Sequence, residues 1–316
     1  MDSVQARTSL DSRKRRNELL KTIWSYRSLY LMLLPGLLYF LLFRYGSLWY
    51  AQIAFKDFKP GLGVLGSPFT GLENLSYFFN SFYFQQLLTN TLVISGLKLL
   101  VGIPPALILA VAIHESSRRG LAQFTQTVTY LPHFLSWVII FGVLVAILSP
   151  SVGLFNEGLK AIGQEPIDFL TNPNIFQGVL VFSDIWKETG WGAILYLAAL
   201  LSIDPTLYEA AEVDGATRWQ RIVHISLPGI KDVIVLVLLL RLGSILDAGF
   251  AQIFVLYTLP VYSVADVIDT WVYRQGIQQF QFSLATAVGL FKGLIGLLLL
   301  VTANRIARRF AGSSLY

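Results

Sequence analysis

The residues best placed to do chemistry in this chain are charges set inside apolar sequence. Asp184, Lys187, Glu188 and Trp191 recur at i, i+3, i+4 and i+7, the spacing of one helical stripe. Arg241, Ser244, Ala248 and Gln252 form a second such series. An ionisable side chain in hydrocarbon costs about 2.5–3.5 kcal/mol on insertion scales, so each has to bind, conduct or pair. If the two segments are antiparallel helices joined by the polar stretch between them, Lys187 lies 14 residues before one inner end and Arg241 lies 11 after the next. At a rise of 1.5 Å per residue they sit at similar depth. Two readings stand side by side: the charges neutralise one another, Lys187 with Asp184 or Glu188, or they line a cavity with Trp186 and Trp191 as stacking surfaces. Lys98, Lys292 and Arg44 would snorkel or pair at helix interfaces.

Bond-making chemistry finds no comparable support. No G-x-x-x-x-G-K-[ST] loop is present, so the chain is expected to bind no ATP of its own. His114-Glu115 lacks the second histidine of H-E-x-x-H, His133 and His224 are scattered, and no metal site is expected. There is no G-x-S-x-G elbow and no cysteine.

The elements that must carry these residues are apolar. Of 316 residues 54% are hydrophobic and 14% charged, with a mean hydropathy of +0.60, which points to an all-α polytopic membrane protein. Six stretches are long enough to span about 30 Å of hydrocarbon as helices: 29–50, 87–113, 124–148, 176–201, 230–259 and 282–303. Pro35-Gly36 and Pro104-Pro105 are expected to interrupt two of them. The layout is then a basic tail over 1–28, a six-helix domain over 29–303 and a second tail over 304–316. Fifteen Lys and Arg fall on one side of these spans and four (Lys56, Lys59, Lys160, Arg274) on the other. The positive-inside rule therefore places both termini in the cytoplasm. The Arg13-Lys14-Arg15-Arg16 run reads as a topology signal meeting anionic lipid, not as a nucleic-acid patch.

One polar stretch, 204–229, breaks the apolar pattern. Asp204 can cap a helix beginning at Pro205 and running to about Glu212. Gly215 permits a sharp turn, and Thr217 with Gln220 matches a capping box that opens a second short helix. Physics alone leaves two uses open, an amphipathic elbow resting on the membrane or a peg for a cytoplasmic partner.

Glu209-Ala210-Ala211, Asp214-Gly215-Ala216 and Ile225-Ser226-Leu227-Pro228 resemble the EAA loop of permease subunits of type I binding-protein-dependent ABC importers. The stretches "LMLLPGLLYFLLF", "IAFKDFKP" and "GSPFTGLENLSYFF" resemble the oligosaccharide and polysaccharide permeases of that group, so the likeness covers nearly the whole chain. The resemblance implies the MetI-like fold of six transmembrane helices in a bacterial inner membrane. It implies ATPase coupling through Tyr208, Glu209, Ala210, Ala211, Asp214 and Gly215. It also implies a substrate path on the helices flanking the elbow, for which Trp186, Lys187, Glu188, Trp191, Arg241, Ser244 and Gln252 are the candidates. The partners implied are a second permease, two ATPase subunits that hold ATP and magnesium, and an extracytoplasmic binding protein. The cargo implied is an oligosaccharide. Lys187 and Arg241 as two cations at one depth suggest an acidic one. The rival is a secondary transporter with an ion-coupling carboxylate such as Glu188 or Asp184, but no inverted repeat is visible.

Overall fold

The computed structural model describes residue 21 and residues 24–311. The expected basic tail falls largely outside the described residues. Within the described residues the regular elements are helical, with one isolated antiparallel bridge between Lys56 and Phe69. Three helices run long and apolar enough to cross a membrane by themselves, and three bent helix pairs complete six spans.

The first span is α1, Arg27–Tyr39, continued by a π turn at Phe40–Tyr45 and a helical turn at Gly46–Tyr50. Pro35 lies inside α1, and the irregularity comes downstream at the π turn. None of the apolar window of this span is buried against the rest of the chain. The second span, α2, runs unbroken over Phe84–His114, so Pro104-Pro105 does not interrupt it as expected. A long helix absorbs the lost N–H groups where neighbouring helices shield the freed carbonyls. Its main neighbour is α5, Pro173–Leu201, with Ala106, Ala110, Ala193, Tyr196 and Leu200 buried in one cluster between them.

The expected single helix over 124–148 is instead two: α3, Arg119–Tyr130, and α4, Trp137–Leu148, joined through Leu131–Phe134 and bent by 108°. Pro132 lacks the donor an α-helix would need there, and Ser136 caps α4 by accepting from the Ile139 N–H. The fifth span breaks too. It comprises α8, Lys231–Gly243, and α9, Phe250–Leu256, with Gly249 between them at φ 91. The expected stripe of Arg241, Ser244, Ala248 and Gln252 therefore does not form on one helix. The last span, α11, Phe282–Ala311, extends beyond the expected end at residue 303.

Between α5 and α8 stand α6, Pro205–Val213, and α7, Arg218–Arg221. These form the elbow. The His114 ring at the end of α2 lies 5.7 Å from that of Tyr208 in α6, which fixes the elbow at one end of the bundle. α2 starts at the other end, about 45 Å away at 1.5 Å per residue. There the helix Glu73–Phe79 and α10, Ile268–Tyr273, pack Phe78, Trp271 and Leu284 together.

Candidate functional site

The elbow is assembled from local signals. Asp204 accepts from the Thr206 N–H at 3.0 Å, and this bond holds its carboxyl below the usual carboxylate range. α6 ends in a left-handed turn at Gly215, φ 75. The Ala216 N–H reaches the Ala211 carbonyl at 2.8 Å and the Gly215 N–H reaches that of Glu212 at 3.1 Å, the Schellman pairing. Thr217 and Gln220 close a capping box at the start of α7. Arg221 lies 3.6 Å from Glu212 and ties the two helices, while the Tyr208 hydroxyl meets the Ser226 hydroxyl at 3.0 Å. Glu209, Ala210, Asp214 and Gly215 are exposed and Ala211 is half-buried. Val213 is 89% and Trp219 71% exposed, apolar surface that none of the described residues covers. The caps and turn satisfy the elbow's backbone internally, which leaves its outer face for a partner.

Deeper in the bundle a cavity of about 260 Å³ opens between α2, α5 and the break after α8. Asp184 and Glu188 line it from α5, Arg241 and Ser244 from α8 and its end, and Lys98 and Asp247 from α2 and the break. Lys98 pairs with Asp184 at 3.1 Å, donates to the Ala248 carbonyl at 2.8 Å and also bonds Gln252 Oε1. Arg241 forms no ion pair among the described residues. Its guanidinium instead passes two glycines: a Cβ built on Gly102 would lie 3.6 Å from Nη1, and one on Gly192 3.7 Å from Nη2. Asp184, Glu188 and Asp247 border the same cavity, but none pairs with the Arg241 guanidinium, whose donors stay available at the cavity wall.

The remaining candidates fall elsewhere. Lys187 pairs with neither Asp184 nor Glu188, contrary to one expectation, and does not line the cavity, contrary to the other. Its Nζ is buried in the break between α3 and α4 and donates to the carbonyls of Pro132 (3.3 Å), His133 (2.5 Å) and Leu135 (2.8 Å). The break frees the His133 and Leu135 carbonyls from the helix ladder, and in a water-poor interior they need a donor from elsewhere. Gln252 is buried as well, with Nε2 donating to the Leu180 carbonyl at 2.7 Å and Ser183 Oγ at 2.9 Å. Glu188 faces the cavity but also lies 3.0 Å from His133 Nδ1, and Trp191 stacks on the His133 ring at 4.3 Å. Trp186 is about two-fifths exposed.

Lys98 pairs at a helix interface, as expected, but the sequence did not place it or Asp247 at the cavity, nor His133 against Glu188. Lys98 and its carbonyl acceptor are 150 residues apart, and His133 and Glu188 are 55 apart, so no local pattern announces them. Sequence reasoning also missed Gly190, where any side chain would overlap the Thr129 carbonyl and come within 2.9 Å of the Tyr130 nitrogen. That glycine lets α5 lie against the broken span.

The comparisons with known proteins fit this layout. A family model described as "Binding-protein-dependent transport system inner membrane component" matches residues 102–313. The polygalacturonan/rhamnogalacturonan transport system permease protein YteP of Bacillus subtilis (strain 168) is 42% identical over 304 residues, 96% of this chain and 95% of its own. Protein LplB of the same organism is 43% identical over 288 residues, 91% of each chain. A chain from a bacterial ABC transporter involved in the import of the acidic polysaccharide alginate superposes with a TM-score of 0.85 at 43% identity, covering 93% of this chain and 99% of that one. Such permeases carry no ATPase site, work beside a second permease and separate ATPase subunits, and take their cargo from a binding protein. An exposed elbow, three long apolar helices with three bent pairs that bring the candidate spans to as many as six, and similarity along nearly the whole length agree: this chain belongs to the inner-membrane components of binding-protein-dependent ABC importers.

Proposed function

We propose that this permease passes an acidic oligosaccharide, with Arg241 as the group that meets its carboxylates. The observation that carries the reading is Arg241 itself, a guanidinium bordering a polar cavity within the bundle and paired with no carboxylate of the described chain. Its planar fork can donate two parallel hydrogen bonds to a carboxylate, which a sugar hydroxyl cannot match. The relatives support it by what they carry, polygalacturonan or rhamnogalacturonan in one case and alginate in another. Ser244 and Glu188 border the same cavity and would meet hydroxyls of the sugar, whereas Lys187 and Gln252 shape the walls from behind.

The elbow lies between α5 and α8, which carry Glu188 and Arg241. A push on Glu209, Ala210, Ala211, Asp214 and Gly215 by an ATPase subunit would therefore be felt on both sides of the cavity, with Tyr208 relaying it to α2 through His114. ATP and magnesium belong to that partner, and the chain itself would hold no cofactor. The charge bias puts the elbow and both termini in the cytoplasm. A cysteine placed at Thr217 should then resist external labelling while one at the exposed Gln164 accepts it; labelling of Thr217 from outside would reverse the orientation.

Arg241→Gln tests the cargo. It should raise the half-saturating concentration of an oligogalacturonide about tenfold in transport-stimulated ATP hydrolysis, the loss of one charge-assisted contact of about 1.4 kcal/mol. Neutral oligosaccharides should be unaffected. Impaired assembly, with unchanged substrate dependence in the complexes that survive, would make Arg241 a structural cation and remove the acidic-cargo reading.

A further inference from the structure

At the end of the bundle away from the elbow, a cavity of about 510 Å³ opens between the chain following the first span and the start of α11. Asp57, Glu73 and Tyr77 line one side, and Phe280 and Phe282 the other. No lysine or arginine lines it. Glu73 forms no ion pair among the described residues, and Asp57 meets only Lys59, at 3.4 Å on the exposed rim. Exposed pairs of that kind contribute about 0–1 kcal/mol and exchange readily.

The walls are held by specific contacts. The Phe58 N–H donates to Ser283 Oγ at 2.9 Å, which joins the two sides. Asn74 Nδ2 donates to the carbonyls of Ala54 at 2.9 Å and Lys56 at 3.2 Å, which fixes the helix bearing Glu73 and Tyr77 to the strand-like segment beside it. Phe280 has a φ of 58, a conformation that L side chains adopt at a cost, and its ring is left 72% exposed at the mouth. The ring stands edge-on to that of Phe282, 6.1 Å between centroids, and leaves its remaining face open at the mouth.

Two carboxylates, open aromatic faces and no cation together make a receptor for a positively charged side chain. The carboxylates accept its hydrogen bonds and the ring faces attract its charge. The cavity lies about 45 Å along α2 from the elbow, at the end where a binding protein has to release its load. We propose that it receives a lysine or arginine from the extracytoplasmic binding protein and fixes that protein's position over the bundle. The proposal rests on the binding-protein dependence of the family and not on the identity of the cargo.

The test is a titration of the reconstituted transporter with its cognate binding protein, loaded with saturating oligogalacturonide, reading stimulated ATP hydrolysis. Asp57→Asn with Glu73→Gln should raise the half-maximal binding-protein concentration about tenfold, flatten its dependence on salt, and leave the maximal rate unchanged. Tyr77→Leu, which removes a ring face and no charge, should raise it about threefold, a cation–π contact of about 0.5–1 kcal/mol. That second variant also decides the matter should the double variant fail to assemble. An unchanged half-maximal concentration in the variant that assembles overturns the proposal. So does a shift in sugar dependence at saturating binding protein, which would make the cavity a saccharide subsite. Neither outcome bears on Arg241, whose own variant is read at saturating binding protein.

Discussion

The elbow and the broken spans both interrupt helices, and they settle the freed backbone in opposite ways. In the elbow every partner is within six residues: Asp204 with Thr206, Ala216 with Ala211, Thr217 with Gln220. In the bundle the partners are distant lysines. Lys187 reaches from α5 into the break before α4 and donates to the His133 and Leu135 carbonyls as well as to that of Pro132, which the Leu135 N–H also meets, and Lys98 reaches from α2 into the break before α9 to the Ala248 carbonyl. The difference follows from solvent. Local caps suffice where water can meet the remaining groups, whereas inside hydrocarbon an unmet carbonyl costs several kcal/mol and a charged donor is worth burying. The elbow's caps are thus specified locally, while the donors to the breaks come into place only once the bundle has packed.

The largest effect that follows is on Lys187. Lys187→Met keeps the apolar stem and removes the donor, leaving the His133 and Leu135 carbonyls unmet while that of Pro132 keeps the Leu135 N–H. It should destabilise the assembled complex by about 3 kcal/mol or more, read as a fall in thermal midpoint and in yield of intact complex. A midpoint equal to wild type would show that the break needs no distant donor, and the contrast between the two regions would collapse.

Next in size is Gly215→Val in the elbow. A Cβ there meets no atom within 4 Å, so the cost is conformational alone, about 1–3 kcal/mol for a β-branched residue at φ 75. Assembly should survive and stimulated ATP hydrolysis should be lost. Retained stimulation would separate the turn from coupling.

The smallest effect concerns Asp204. Its carboxyl is held below the ordinary value by the Thr206 backbone N–H and side chain, so the cap helps the folded elbow above the unfolded carboxylate value. That help fades as pH falls through the lower folded value. The exchange protection factor of the first turn of α6, taken relative to the intrinsic rate at each pH, should fall on acidification in wild type and stay flat in Asp204→Asn. A parallel fall in both would assign the effect to another group.

The same contrast explains how far the sequence could be read. Caps, turn and capping box of the elbow were legible because each signal and its acceptor sit within one turn. The six spans were legible from apolar length, and helix α6 ended within one residue of its expected end. The breaks were not, because apolar length is indifferent to a bend and Pro132 resembles Pro104, which is absorbed. Which proline breaks its helix is decided by whether a donor such as Lys187 waits opposite, and that is a tertiary fact. The charged stripes misled for the same reason. Lys187 and Gln252 have the spacing of cavity residues but face inward to neighbouring backbone, and only Arg241 among the cations of those stripes is left for a ligand.

Whether the importer is built for an acidic chain is decided in proteoliposomes holding the complete transporter with its binding protein. Stimulated ATP hydrolysis is compared for an oligogalacturonide and a neutral oligosaccharide of the same length. Stimulation and uptake are expected with the acidic sugar at concentrations where the neutral one is inert. Equal stimulation by both, or preference for the neutral sugar, would contradict the acidic-cargo reading.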